Sequence, residues 1–168
     1  STAGSVDIAG PVTLEGNVII DADAAATTVT FSSTSTVNSD STARAFEVNT
    51  GAGALKMQGV LGGTTALGSL KINSATSGAA DVEVQNIGSS TVGVIGATTI
   101  GNSNTNKITL DGTVYKTTNT QTYTTAAGDK ILAGATSAPL TFTTTDNNVG
   151  FVGGDVVLAA AGHLTINT

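Results

Sequence analysis

The chain has 168 residues, enough for one domain with a core of its own, yet aromatic residues make up only 4% of it and Trp and Cys are absent. With 39% hydrophobic and 11% charged residues it does not have the composition of a disordered chain. Six basic residues against a net charge of −6 argue against nucleic acid or an anionic membrane surface as partner, zero Cys excludes disulfides, and no apolar run approaches a membrane span.

A core without large rings must be built from Val, Ile, Leu and Ala, which suits a thin, uniform interior such as a stack of coils. Three short strands are predicted first, Val6–Ile8, Val12–Leu14 and Val18–Ile20, with Gly10-Pro11 and Glu15-Gly16 as breaks. Asp21–Ala26 has no apolar face and reads as a bend. Thr27–Phe31 and Thr34–Val37 alternate Thr with Val or Phe, the pattern of a half-buried strand.

Phe46-Glu47-Val48-Asn49 introduces a recurring unit: apolar, polar, apolar, Asn. Leu70-Lys71-Ile72-Asn73 and Leu164-Thr165-Ile166-Asn167 repeat it, and Val82-Glu83-Val84-Gln85-Asn86 varies it. Alternate residues point to one buried face, and Asn closes the strand because it tolerates the left-handed bend at a corner. With Leu55–Met57 between the first two units, three strands fall in roughly 20–25 residues, the repeat of a parallel β-helix.

Further strands are predicted at Val92–Ile95, Thr98–Ile100, Lys107–Leu110, Thr113–Tyr115, Thr120–Thr124, Lys130–Leu132, Leu140–Thr144, Val149–Val152, Asp155–Leu158 and His163–Asn167. Two longer echoes support repetition. Val12–Val18 matches Ile108–Val114 at an offset of 96, and Gly68–Asn73 matches Gly162–Asn167 at an offset of 94. Asp111-Gly112 is, however, a strong hairpin signal, so an antiparallel β-sandwich is the rival architecture.

Thr-Leu-(Asp/Glu)-Gly-x-Val, Gly62–Leu70, Thr120–Tyr123 and Leu164–Thr168 resemble the repeats of filamentous-haemagglutinin-like and "beta strand repeat" adhesins, which are very large bacterial surface proteins. The resemblance covers most of the chain, best from Phe46 onward. It implies right-handed β-helical shafts, secretion across an outer membrane, and adhesion or fibre formation, and it supplies no catalytic residues. The scarcity of Cys and Lys and the abundance of Thr, Asn and Gly fit the same class.

Candidate chemistry is sparse. His163 is the single histidine, with no other His or Cys beside it to complete a metal site. The carboxylates are scattered, although stacked coils could bring Glu47 near Lys71 or Glu83, and no Gly-x-Ser-x-Gly turn is present. Asp21-x-Asp23 and Asp146-Asn147-Asn148 are oxygen-rich turns of the kind calcium uses, but the Gly-Gly-x-Gly-x-Asp nonapeptide is missing. Thr118, Thr120, Thr122 and Thr124 form the most regular polar run. Tyr115 and Tyr123 flank it as the best exposed aromatic candidates for a binding face.

The sequence thus predicts a single all-β domain over residues 1–168, a right-handed parallel β-solenoid without cofactor or enzymatic activity. It reads as a segment of a longer repeat protein or as a filament subunit, at a bacterial cell surface or outside the cell. Self-association is expected through the end strands, at Val6, Ile8, Val12, Leu14, Val156, Leu158, Leu164 and Ile166. A glycan- or host-protein-binding adhesin module is the second expectation and a carbohydrate-active β-helix enzyme the third.

Overall fold

The computed structural model describes residues 4–23, 26–75, 78–133, 139–158 and 162–168. Eighteen strands and no α-helix are found among them. The chain winds as a coil with three faces. The first face is a seven-stranded sheet of β1 (Ser5–Ile8), β4 (Thr28–Phe31), β7 (Leu55–Met57), β9 (Asp81–Val84), β11 (Lys107–Leu110), β14 (Lys130–Ala133) and β17 (Asp155–Leu158), in that order. The third face is a six-stranded sheet running from β3 (Val18–Asp21) through β6 (Ala45–Asn49), β8 (Ser69–Ile72), β10 (Thr98–Ile100) and β13 (Gln121–Thr124) to β16 (Val149–Val152).

The second face is broken. It starts with β2 (Val12–Leu14) beside β5 (Val37–Ser39) and ends with β12 (Val114–Lys116), β15 (Leu140–Thr143) and β18 (Leu164–Asn167). Between them the ladder thins to single bridges, Val37 to Leu61, Leu61 to Ile87, and Ile87 to Tyr115. Gly62 (φ 68) and Gly88 (φ 82) follow the bridging residues directly and turn the chain outward before a strand can extend. The strand expected at Val92–Ile95 is reduced to two single bridges at Val94, to Leu67 and to Thr117.

Every strand pairing among the described residues is parallel, so the fold is a β-solenoid and not the antiparallel sandwich. Six complete coils are followed by β17 and β18. Asp111-Gly112, the hairpin signal, is a corner between β11 and β12. A Cβ on Gly112 would stand 2.6 Å from the Asn86 backbone nitrogen of the coil below, so the position demands Gly for close approach rather than for a reversal.

Alternation does the packing. Val29, Leu55, Val82, Ile108 and Ile131 form one inner column of the first face, and Phe31, Met57, Val84, Leu110 and Ala133 the other, all buried. The third face adds Val48, Ile72, Ile100 and Tyr123, and the second adds Val37, Leu61, Ile87, Tyr115 and Phe142. Each fully buried Leu or Ile is worth about 1.5–3 kcal/mol relative to exposure, so the columns are the main source of stability.

Asparagine side chains staple coil to coil. Asn17 Oδ1 accepts from Ala45 N, Asn38 Oδ1 from Thr64 N and Thr65 N, and Asn86 Oδ1 from Thr113 N and Val114 N at 2.7 and 2.9 Å. Asn73 stands at a left-handed corner (φ 46), accepts from Thr50 N at 2.7 Å and donates to Thr50 Oγ1 at 2.9 Å. Asn86→Ala would leave two backbone donors of the next coil unsatisfied. The expected loss is about 1–3 kcal/mol in urea unfolding, with faster amide exchange confined to Thr113 and Val114.

The coil length is uneven, from 23 residues (Ser5 to Thr28) to 28 (Val18 to Phe46). This irregularity corrects the two long echoes. Val12–Leu14 lies on the second face and Ile108–Leu110 on the first, while Ser69–Ile72 lies on the third and Leu164–Asn167 on the second. They share strand-and-corner chemistry, not position. Only Phe46–Asn49 and Leu70–Asn73 are rungs of one ladder, 24 residues apart. The strand expected at Thr34–Val37 is displaced to Val37–Ser39, because Ser32 to Ser35 closes a turn through a backbone bond of 2.9 Å. The Asp21–Ala26 bend lies partly outside the described residues.

Candidate functional site

The proposed aromatic binding face does not exist. Tyr115 and Tyr123 are both 0% exposed. Tyr115 stacks on Phe142 at 4.9 Å and Tyr123 on Phe151 at 5.4 Å, with edge-on contacts of 5.4 Å from Phe142 to Tyr123 and to Phe151. Alternation places both rings inward, since Tyr115 succeeds Ile87 and Tyr123 succeeds Ile100 in the inner columns.

Their hydroxyls are satisfied inside. Tyr115 Oη accepts from Gly112 N at 2.9 Å and donates to Val84 O at 3.1 Å, and Tyr123 Oη donates to Gln121 Oε1 at 2.8 Å. Gln121 Nε2 completes the network to Tyr115 O and Thr143 O, both at 2.9 Å. Burial pushes both phenols well above their ordinary range, with Asp111 adding to the rise at Tyr115 and Tyr115 to that at Tyr123.

The Thr run is interrupted as well. Thr122 and Thr124 lie outward on β13, and Thr120 precedes it, but Thr118 belongs to the preceding corner, where its N–H donates to Val94 O at 2.7 Å. Thr118 and Thr124 therefore sit on different elements, and the run is not one flat ladder.

Charge gathers on the outside of the first face. Asp81, Lys107, Lys130 and Asp155 are successive rungs of one outer column, with Lys107 Nζ 2.9 Å from Asp81 Oδ2. Lys56 and Glu83 pair in register beside it, and Gln58 Nε2 donates to Glu83 Oε1 at 3.0 Å. Ala54, Lys56, Asp81, Glu83, Lys107 and Thr109 line a shallow hollow there. The Asp111 carboxyl is held above the usual range by partial burial and then by Glu83. Glu47 does reach Lys71, at 3.7 Å across adjacent coils, but Glu83 stands on another face. Arg44 hydrogen-bonds Asp40 and lowers its pKa.

At the ends the inner columns come into the open. Val6, Val156, Leu158 and Ile166 are exposed, and Ile8, Val12 and Leu164 are half-buried. Leu14, also expected as an end contact, is only 2% exposed and belongs to the core. Residues 159–161 of the expected carboxy-terminal contact lie outside the described residues. Val157, Leu132 and Val152 add apolar side chains to the outer surface near the same end. No charged side chain points inward from β1 or β17, the usual device by which a sheet edge is blunted.

His163 is exposed, and its carbonyl accepts from Leu140 N at 2.8 Å. Among the described residues no group of three or more His, Asp or Glu side chains is set to hold a metal, and no helix is long and apolar enough to cross a membrane. The class that this geometry defines is a parallel β-solenoid. No protein-family model matches the chain, and no curated protein or solved structure matches it. The likeness to haemagglutinin-like repeats rests on the motifs alone.

Proposed function

We propose that this chain is a structural shaft segment, a stiff β-solenoid rod of a bacterial surface or extracellular protein whose adhesive role is reach and self-association. The observation that carries this reading is the unbroken pair of inner columns on the first face, from Val6 and Ile8 to Val156 and Leu158. Each coil bonds to the next along the axis, so length is added without a new core. Seven levels at about 4.8 Å give a rod roughly 30 Å long.

The exposed end columns support end-to-end contact between copies. With β17 beside β1 of a second copy, Val156 meets Val6 and Leu158 meets Ile8 in the alternation used throughout the stack. Such a head-to-tail contact does not close on itself and yields a filament. Negative-stain microscopy and size exclusion at rising concentration test this. Rods of constant width that lengthen with concentration are expected, and the pair Val156→Lys and Leu158→Lys should hold them at single-chain length. Single rods at every concentration would remove the self-association, and compact particles would remove the shaft.

The hollow on the first face favours a second reading, a binding module for a glycan or host protein. With Tyr115 and Tyr123 buried, its contacts would be polar, through Lys56, Glu83 and Thr109. Glycan-array binding that is lost in Lys56→Ala would favour it over the shaft.

A further inference from the structure

We propose that a divalent cation of the calcium type binds at the corner closing the third face, between the first two coils, held by Asp21, Asp23 and Asn49. In β3 Val18 and Ile20 pack inward, so Asp21 lies outward. In β6 Phe46 and Val48 are buried inward, and Glu47 and Asn49 share the outer side, joined by Asn49 Nδ2 donating to Glu47 Oε1 at 2.8 Å. Register places Asn49 directly over Asp21. The Asp21 carboxylate and the Asn49 amide are therefore neighbouring rungs of one outer column, with backbones about 4.8 Å apart.

Asn49 is 6% exposed, and its Oδ1 is buried with no hydrogen-bond partner. The amide cannot be turned round to cure this, because Glu47 only accepts and must face the NH2 group. An acceptor left bare in this way costs about 1–3 kcal/mol, and a hard cation on the same outer corner would satisfy it. Asp23 N donates to Asp21 Oδ1 at 3.3 Å, which keeps the two acidic residues together and leaves Asp21 Oδ2 without a bond.

The charge balance points the same way. Asp7, Glu15, Asp21, Asp23 and Asp40 precede any Lys or Arg in the chain, and the first base, Arg44, is taken by Asp40 at 2.8 Å. None of the ion pairs among the described residues involves Asp7, Glu15, Asp21 or Asp23. Two carboxylates and a neutral amide oxygen, with water completing the shell, make a weak, hard-cation set. A cation there would clamp the first coil to the second. This inference does not depend on the shaft reading.

Calorimetric titration of chelator-treated protein with CaCl2, beside melting curves in CaCl2 and in NaCl of equal ionic strength, is the test. Calcium should bind and raise the Tm beyond NaCl. Asp21→Asn, an exposed near-isosteric change, should weaken binding about tenfold or more. Asp7→Asn removes the same charge from the same coil on another face and should leave affinity unchanged. Absence of heat and of a Tm shift at about 10 mM CaCl2 would overturn the site. So would an equal loss in Asp7→Asn and Asp21→Asn, which would mean general screening.

Discussion

Gly101→Ala is expected to lower stability by more than about 3 kcal/mol, read as the urea midpoint at unchanged slope. Gly101 turns the corner after β10 with φ 72, in the left-handed region where an L side chain costs about 1–2 kcal/mol. A Cβ there would also stand 2.2 Å from the Thr124 carbonyl oxygen of the next coil and 3.1 Å from Ile108 Cδ1. The first contact is with backbone that is itself held by the ladder, so relief requires the fourth and fifth coils to separate. Gly128→Ala separates the two causes. It has φ 88 but nothing within 4 Å of the Cβ position, and its expected cost is only the conformational 1–2 kcal/mol, roughly. Equal losses in the two variants would show that coil spacing is not what Gly101 protects.

The second large effect is in alkali. The chain has two tyrosines and no Trp, so absorbance near 295 nm reports Tyr115 and Tyr123 alone. In the unfolded chain a phenol ionises near 10.0, whereas in the solenoid burial holds both neutral far beyond that. The native state therefore keeps protons that the unfolded state gives up. Their contribution is fully present below pH 10, and stability falls as pH rises above it, by about 1.4 kcal/mol per pH unit for each tyrosine. No tyrosinate signal is expected near pH 10. It should appear at higher pH in one step, coincident with loss of the β-sheet circular dichroism. A gradual rise centred on pH 10 with the fold intact would mean that at least one ring is open to solvent.

Much of the fold was legible because strand and corner chemistry are local. Val12–Leu14, Leu55–Met57, Thr98–Ile100, Lys107–Leu110, Val149–Val152 and Asp155–Leu158 are read from alternation alone and stand in the structure with the same bounds. Of the asparagines expected at left-handed corners, Asn73 is at one, whereas Asn49, Asn86 and Asn167 are not, Asn49 and Asn167 being the last residues of their strands. The candidate site was less legible. Tyr115 and Tyr123 looked exposed beside a Thr run, and parity within each strand would have marked them as inward, since each alternates with polar neighbours such as Lys116 and Thr122. The bare Oδ1 of Asn49 had no sequence signal, because the residue in register with Asn49, Asp21, lies one coil away.

By itself, then, the sequence determined a series of short alternating strands joined by corners, while the antiparallel sandwich was excluded only by the parallel pairings of the structure. Alternation and turn preference act over a few residues and are legible for that reason, whereas the burial of Phe31, Phe46, Tyr115, Tyr123 and Phe142 in a core expected to rest on Val, Ile, Leu and Ala came from the structure. Only the tertiary structure decided which face each strand joins, which side chains of neighbouring coils meet, and where the end columns emerge. Coils of 23 to 28 residues carry no fixed period, so strands of equal wording, Val12–Leu14 and Ile108–Leu110, settle on different faces. Register is set by backbone bonding between coils and by the Asn staples across them. Those are contacts between residues more than twenty positions apart, which no local pattern encodes.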